Sequence, residues 1–173
     1  MRLFTTIAAI AAATFAATAR AHEYTAGDLT VGHPYAIETP ATAKSAAGYF
    51  SVTNAGSASD RLVAVETAVG EAEVHETTTD SAGVTTMAAV PALDIPASAT
   101  VTLAPRGLHV MFTGLTAPWK AGDEVPATLV FERAGEVPVV FKVEARKASG
   151  GGMDDMPGMD HGTMQHGTMQ HDN

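Results

Sequence analysis

Cysteine is absent from this chain of 173 residues. An exported protein without cysteine has no disulfide bonds, no thiol redox chemistry and no thiolate ligand for a blue-copper electron-transfer centre. The chain also lacks a Gly-x-Ser-x-Gly motif and a phosphate-binding glycine loop, which argues against a hydrolase or a nucleotide enzyme. We therefore expect no enzyme and no catalytic residue, and any bound metal must be held by ligands other than thiolate.

Long apolar runs are also missing after the N-terminal segment, so no membrane-spanning helix is predicted. The N-terminal segment contains Arg2, an apolar stretch over residues 3–17 and the small-x-small sequence Ala19-Arg20-Ala21. This arrangement is typical of a secretory signal peptide. We therefore predict a signal peptide at residues 1–21, a mature chain beginning at His22, and a soluble protein secreted through the inner membrane to the periplasm.

Basic residues are scarce compared with acidic ones. The chain has 10 lysine and arginine residues against 19 aspartate and glutamate residues, which gives a formal net charge of −9. Removal of residues 1–21 takes away two arginines and no acidic residue, so the mature chain carries −9 − 2 = −11. This charge argues against nucleic acid as a partner, although an acidic surface also serves solubility.

Short runs rich in β-branched and aromatic residues fill the region from Asp28 to Glu144, and Gly, Pro, Asn, Asp and Ser separate them. This pattern is typical of short antiparallel strands, and no long amphipathic helix is predicted. Nine strands in one domain of ordinary size favour an all-β Greek-key β-sandwich. The predicted strands cover residues 29–32, 48–54, 61–69, 71–77, 84–88, 100–103, 108–115, 124–131 and 137–143.

Two histidines and two methionines in this region are candidate metal ligands: His75, Met87, His109 and Met111. In a strand over residues 108–112, alternate side chains share a face, so His109 and Met111 point away from the apolar residues around them. Thioether favours soft ions such as Cu(I), and imidazole accepts copper in either oxidation state. A ligand set without carboxylate or thiolate disfavours calcium, magnesium and structural zinc, so copper is the leading candidate.

The composition changes after Lys147 to a glycine run and then to a segment dense in methionine and histidine. We predict a β-sandwich domain at residues 22–147 and a disordered Met/His-rich tail at residues 148–173. Methionine and histidine at this density match capture of soft metal ions, so the tail is a candidate secondary site for Cu(I) or Cu(II). Its candidate ligands are Met153, Met156, Met159, His161, Met164, His166, Met169 and His171.

The spacing of the four central candidates follows a known signature. Eleven residues separate His75 from Met87, and twenty-one separate Met87 from the His109-x-Met111 pair. The chain thereby resembles the PCu(A)C family of periplasmic copper chaperones, whose pattern is His, Met about ten residues later, twenty-one residues and His-x-Met. The blocks AEVHET at residues 72–77 and GLHVMFTGL at residues 107–115 also look like those of this family.

The resemblance implies a cupredoxin-like fold and Cu(I) bound by His75, Met87, His109 and Met111. It also implies delivery of copper to the dinuclear centre of cytochrome c oxidase. The expected partner is a copper-accepting protein, such as an oxidase subunit or another copper chaperone, and we expect a monomer. The optional methionine of the family is missing after His75. Fewer thioethers would weaken copper retention or leave the tail to supply sulfur.

Two other functions remain open at this level. The tail would suit a periplasmic copper-sequestering or resistance protein that buffers copper without a dedicated recipient. A copper enzyme would instead use the α-amine and imidazole of His22, which together suit Cu(II), with His33 as a second imidazole. Among the nearby carboxylates, Glu73 is expected to share a strand face with His75 and is a candidate to orient its imidazole, whereas Glu76 points to the opposite face.

Overall fold

The computed structural model describes residues 23–146, which form eleven β-strands and no helix. Within this part of the chain, therefore, no helix is long and apolar enough to cross a membrane. The strands are β1 (Glu23–Ala26), β2 (Leu29–Ile37), β3 (Ser45–Asn54), β4 (Asp60–Thr67), β5 (Glu71–Thr79), β6 (Thr85–Ala89), β7 (Leu93–Ile95), β8 (Ala99–Leu103), β9 (Leu108–Thr113), β10 (Glu124–Phe131) and β11 (Gly135–Glu144).

The strands form one hydrogen-bonded sheet in the order β6-β5-β9-β3-β2-β11-β10-β4-β7, with β1 paired to β2 and β8 paired to β3. The pairing of β11 with β2 is parallel, and the other described pairs are antiparallel. The mixed sheet curls into a half-barrel around its core. The predicted all-β, cupredoxin-like class is therefore confirmed. The parallel pair of β2 and β11 joins the strands β6-β5-β9-β3-β2 to the strands β11-β10-β4-β7, so that they form one continuous sheet.

Each of the nine predicted strands is present, and the sequence pattern missed β1, β7 and the second half of β2. Pro34 explains the last omission, because proline inside a run argues against a continuing strand. In the structure β2 passes this point through an irregularity between Gly32 and Tyr35, and His33 adopts a left-handed φ of 49°. β7 has only three residues, which is shorter than the run of four to eight from which a strand is predicted.

The core lies inside the curled sheet and is filled by alternate residues of its strands. Val110 and Phe112 of β9 are almost fully buried there. The ring of Phe112 makes edge-to-face contacts with Trp119 at 5.1 Å and Phe141 at 5.3 Å, measured between centroids. A Cβ atom at Gly48 would lie 2.7 Å from the Phe112 ring, so only glycine fits there. The core side of β9 is thus fixed by aromatic packing.

Candidate metal centre

The four candidate ligands lie on three adjacent strands, β6, β5 and β9. His75 of β5 is directly opposite His109 of β9, and Thr77 of β5 is opposite Met87 of β6. Residues that pair across strands share a face, as do residues two positions apart along a strand. His75, Met87, His109 and Met111 therefore all lie on the face of the sheet that is opposite the core.

The two imidazoles are close neighbours on this face. Their ring centroids are 6.1 Å apart, with 42° between the ring planes. Bonds between a metal and an imidazole nitrogen are about 2 Å long, so rings at this separation are near enough to share one ion. His109 is buried at 6% exposure, the side chain of His75 is 21% exposed, and Met87 is 54% exposed. The candidate site is therefore sheltered at its histidines and open at Met87.

The orientation of the His109 ring is fixed by a backbone carbonyl. Nδ1 of His109 lies 3.0 Å from the oxygen of Gly107, which accepts a hydrogen bond, so this nitrogen carries the proton. The same oxygen also accepts a hydrogen bond from the backbone N–H of Thr77 at 3.1 Å. Nε2 of His109 consequently keeps its lone pair, and a backbone carbonyl in this role is a usual partner of a metal-binding histidine.

The ring of His75 is oriented by a carboxylate, which contacts Nε2 instead of Nδ1. Nε2 of His75 lies 3.4 Å from Oε2 of Glu73, which shares its strand face. Nδ1 of His75 is buried without a hydrogen-bond partner. A buried nitrogen without a partner costs about 1–3 kcal/mol, so Nδ1 of His75 fits the role of a metal ligand. The arrangement leaves one free lone pair on each ring, at Nδ1 of His75 and at Nε2 of His109.

A groove of about 840 Å³ runs along this face. Met87, His109 and Met111 line it together with residues of β2 and β3, the end of β11 and the residues that follow it. These include His33, Tyr35, Tyr49, Glu144 and Arg146. The rings of Tyr35 and Tyr49 are 5.1 Å apart. Burial raises the pKa of both hydroxyls, and Glu144 raises the pKa of Tyr35 further. Both tyrosines therefore stay protonated at neutral pH and offer no phenolate ligand.

Residues 23–146 contain no comparable site for hard metal ions. Among residues 23–146, no group of three or more His, Asp or Glu side chains is arranged to hold a metal ion. His33 lines the groove, but its Nε2 lies 3.2 Å from Oε1 of Glu144, and its ring packs on Tyr35. His22 and the candidate ligands of the tail, from Met153 to His171, lie outside the described residues.

Sequence reasoning missed two contributors to the site. The carbonyl of Gly107 carries no side-chain signal, although the turn at residues 104–107 that presents it was recognisable from Pro105 and Gly107. Arg106 in the same turn lines the groove in a left-handed conformation, with φ of 71°. Its exposed guanidinium forms no ion pair with any described residue. The turn therefore positions both an imidazole and a positive charge.

The fold and the site define an all-β domain that carries a soft His/Met face. Residues 29–143 match the family model described as "Putative lipoprotein LpqE-like". The chain is also similar to the copper-bound PCuAC domain from PmoF2, with 31% identity over 72% of this chain and 99% of that domain and a TM-score of 0.62. The chain thus belongs to the LpqE-like family and contains a PCuAC domain.

Two further relatives agree with this assignment. The solution structure of CuI-DR1885 from Deinococcus radiodurans is 32% identical over 73% of this chain and 81% of that protein, with a TM-score of 0.53. "Putative lipoprotein Lxx21020" from Leifsonia xyli subsp. xyli is 36% identical over 99 residues. That match spans 57% of this chain and 60% of the relative's own length.

Proposed function

We propose that this protein is a Cu(I) chaperone whose ligands are Nδ1 of His75, Nε2 of His109 and the thioether sulfurs of Met87 and Met111. The observation that carries the proposal is the histidine pair. Each ring has one nitrogen engaged by the protein and one nitrogen free, and one of the free nitrogens is buried without a partner. Two imidazoles and two thioethers form a neutral, soft ligand set that suits Cu(I) better than hard cations.

The exposure of Met87 favours transfer of copper over permanent storage. Met87 lies on β6, the strand at one end of the sheet, and more than half of its surface is accessible. An incoming ligand can therefore replace its thioether while the two imidazoles still hold the ion. The recipient we propose is a copper-accepting protein, such as the copper centre of cytochrome c oxidase or another copper chaperone. The names of the relatives, a copper-bound PCuAC domain and CuI-DR1885, support the choice of metal.

The place of action we propose is the periplasm, after cleavage of the segment at residues 1–21. The family and one relative are named as lipoproteins. This sequence contains no cysteine, the residue to which a thioether-linked lipid would be attached. We propose a secreted, monomeric carrier.

An anaerobic Cu(I) titration of residues 22–173 against a competing chelator, read by X-ray absorption, tests the ligand set. We expect one tightly bound Cu(I) with mixed nitrogen and sulfur ligands. The variants His109→Ala and Met111→Leu should weaken binding at least tenfold, an effect of about 1.4 kcal/mol or more. The matched control is His33→Asn, which removes an imidazole from the same groove and should leave the affinity unchanged. Full affinity in His109→Ala would show that the ligand assignment is wrong.

Transfer to an apo oxidase copper domain separates the chaperone from the alternative, a periplasmic protein that sequesters copper. The Cu(I)-loaded chain should lose its metal to the apo domain within the lifetime of an encounter complex. Loss only to small-molecule chelators would favour sequestration. The methionine-rich composition of residues 153–171 supports this alternative.

A further inference from the structure

A second cavity lies between β4 and β5, apart from the groove. β7 pairs with β4 only at residues 60–62, and β6 pairs with β5 only at residues 75–79. Among residues 23–146, no strand pairs with the rest of these two edges, residues 63–67 of β4 and 71–74 of β5. The cavity between them, which we call the β4–β5 slit, has a volume of about 330 Å³ and shares no lining residue with the groove.

The β4–β5 slit is lined mainly by apolar side chains, from residues 62–65, 72–74 and 89–91. Leu62 and Val74 belong to the buried core, whereas Val63 is 41% exposed. The register between β4 and β10 shifts at this residue, and such a bulge turns a side chain away from its regular direction. The slit therefore joins an exposed valine to the core, and its small volume suits one large apolar side chain.

Glu73 links the slit to the metal site. Of the described residues that line the slit, it alone carries a charge. Its Oε2 lies 3.4 Å from Nε2 of His75, and Glu73 is directly opposite Met111 of β9. This distance is longer than the usual hydrogen bond of about 2.7–3.2 Å, and the side chain of Glu73 is 71% exposed. The carboxylate can therefore turn from His75 to a stronger partner in the slit.

The charge beside the slit selects a cationic partner. Glu71 and Glu73 lie two positions apart on the same face of β5, and no lysine or arginine among residues 23–146 forms an ion pair with either. The formal net charge of the chain is −9, so a second copy would be repelled. A segment that presents a large apolar side chain beside lysine or arginine matches both the cavity and the charge.

We propose that the copper recipient docks at this place, with a large apolar side chain in the β4–β5 slit and a neighbouring lysine or arginine paired with Glu73. The inference rests on the proposed function, because it takes Cu(I) to lie at His75 and His109. A cationic group attracts the carboxylate more strongly than a neutral imidazole does. His75 then loses the partner that keeps the proton on Nε2, and Nδ1 holds the ion less tightly. Docking of the recipient thus loosens the copper.

A short peptide tests the docking site. Acetyl-Lys-Phe-Lys-amide, added to apo residues 22–173, should shift the backbone amide signals of Val65 and Val90 in a saturable way. Acetyl-Lys-Ala-Lys-amide lacks the anchor and acetyl-Glu-Phe-Glu-amide has the opposite charge, so both should bind several-fold more weakly. Val63→Ser should weaken binding of the first peptide, whereas Val84→Ser, at an exposed valine outside the slit, should not. Equal binding of the three peptides, or no saturable shift, would overturn the proposal.

The rate of Cu(I) release tests the link through Glu73. Saturating acetyl-Lys-Phe-Lys-amide should speed release to a chelator about tenfold, the size of effect that loss of an outer hydrogen-bond partner has on metal affinity. Glu73→Gln should remove this acceleration, and Glu71→Gln is the matched control that should keep it. Long-range ¹H–¹⁵N spectra of the apo protein should show the peptide moving the proton of His75 towards Nδ1. A peptide that fills the slit but changes neither the rate nor the tautomer would contradict the link.

Failure of this proposal can be distinguished from failure of the proposed function. If His109→Ala binds Cu(I) normally, the proposed function fails, whatever the peptide does. If His109→Ala loses Cu(I) but the parental protein releases it at the same rate with and without the peptide, only the docking proposal fails.

Discussion

The imidazoles of His75 and His109 face each other across β5 and β9 with opposite nitrogens free, Nδ1 on His75 and Nε2 on His109. The two rings are held by different partners, a carboxylate on the same strand and a carbonyl in the preceding turn. The two rings are therefore not equivalent, and removal of the partner of one ring should alter that ring and not the other.

Glu73→Ala should lower the affinity for Cu(I) about tenfold, because loss of an outer hydrogen-bond partner of a metal-binding histidine has effects of this size. In the apo protein, long-range ¹H–¹⁵N spectra should show that the tautomer of His75 changes while that of His109 does not. Glu71→Ala is the matched control, since Glu71 lies on the same strand and face but opposite Thr113. An unchanged His75 tautomer in Glu73→Ala would refute a positioning role for Glu73.

Met87→Leu should raise the rate of Cu(I) release more than it changes the folding free energy. The side chain is 54% exposed on β6, so leucine at this position removes a sulfur ligand without disturbing the core. Stopped-flow capture of Cu(I) by a chelator measures the rate. Val84→Leu, an equally exposed apolar position on the same hairpin, should release copper at the parental rate. Identical rates in Met87→Leu and Val84→Leu would remove Met87 from the ligand set.

Asp60→Ala should lower the free energy of unfolding by about 3 kcal/mol, as expected for hydrogen bonds to a buried charged acceptor. The carboxylate is 6% exposed and accepts hydrogen bonds from the backbone N–H groups of Arg61, Arg133 and Ala134. Urea denaturation gives the difference. Asp94→Ala is the control, because its 82% exposed side chain makes only a 3.6 Å ion pair with Arg61, which is worth less than about 1 kcal/mol. Equal losses in the two variants would contradict this account.

The stability of the protein should fall at alkaline pH partly because of Tyr35. Burial, and then the negative charge of Glu144, raise the pKa of its hydroxyl above the ordinary value of 10.0. The folded state therefore disfavours tyrosinate. The stabilising contribution is complete below pH 10.0 and is lost as the pH rises through the raised pKa. Tyr35→Phe should reduce this alkaline loss, measured by urea denaturation across the transition. A tyrosinate absorbance titration in which Tyr35 ionises at or below pH 10.0 would disprove it.

Part of this architecture follows from the sequence because it depends on local periodicity. The alternation around His109 and Met111 predicted their common face, and the two-residue spacing of Glu73 and His75 predicted their contact. The pairing of His75 with His109 could not be predicted in the same way, because register between strands depends on packing far along the chain. The role of Gly107 was also hidden, since a carbonyl has no residue-specific signal. Pro34 concealed the length of β2 and hence the parallel pair with β11.

That parallel pair has a consequence for how the protein folds. Lys142 joins Tyr35 across 142 − 35 = 107 positions, so this pairing closes a very long loop. Contacts of such separation form slowly, because the entropy of loop closure is lost before the contacts stabilise the chain. β2 pairs with β3, and β3 pairs with β9, the strand that carries His109 and Met111. We expect the metal face to reach its native geometry only after β11 has paired with β2, so copper loading should follow this late step of folding.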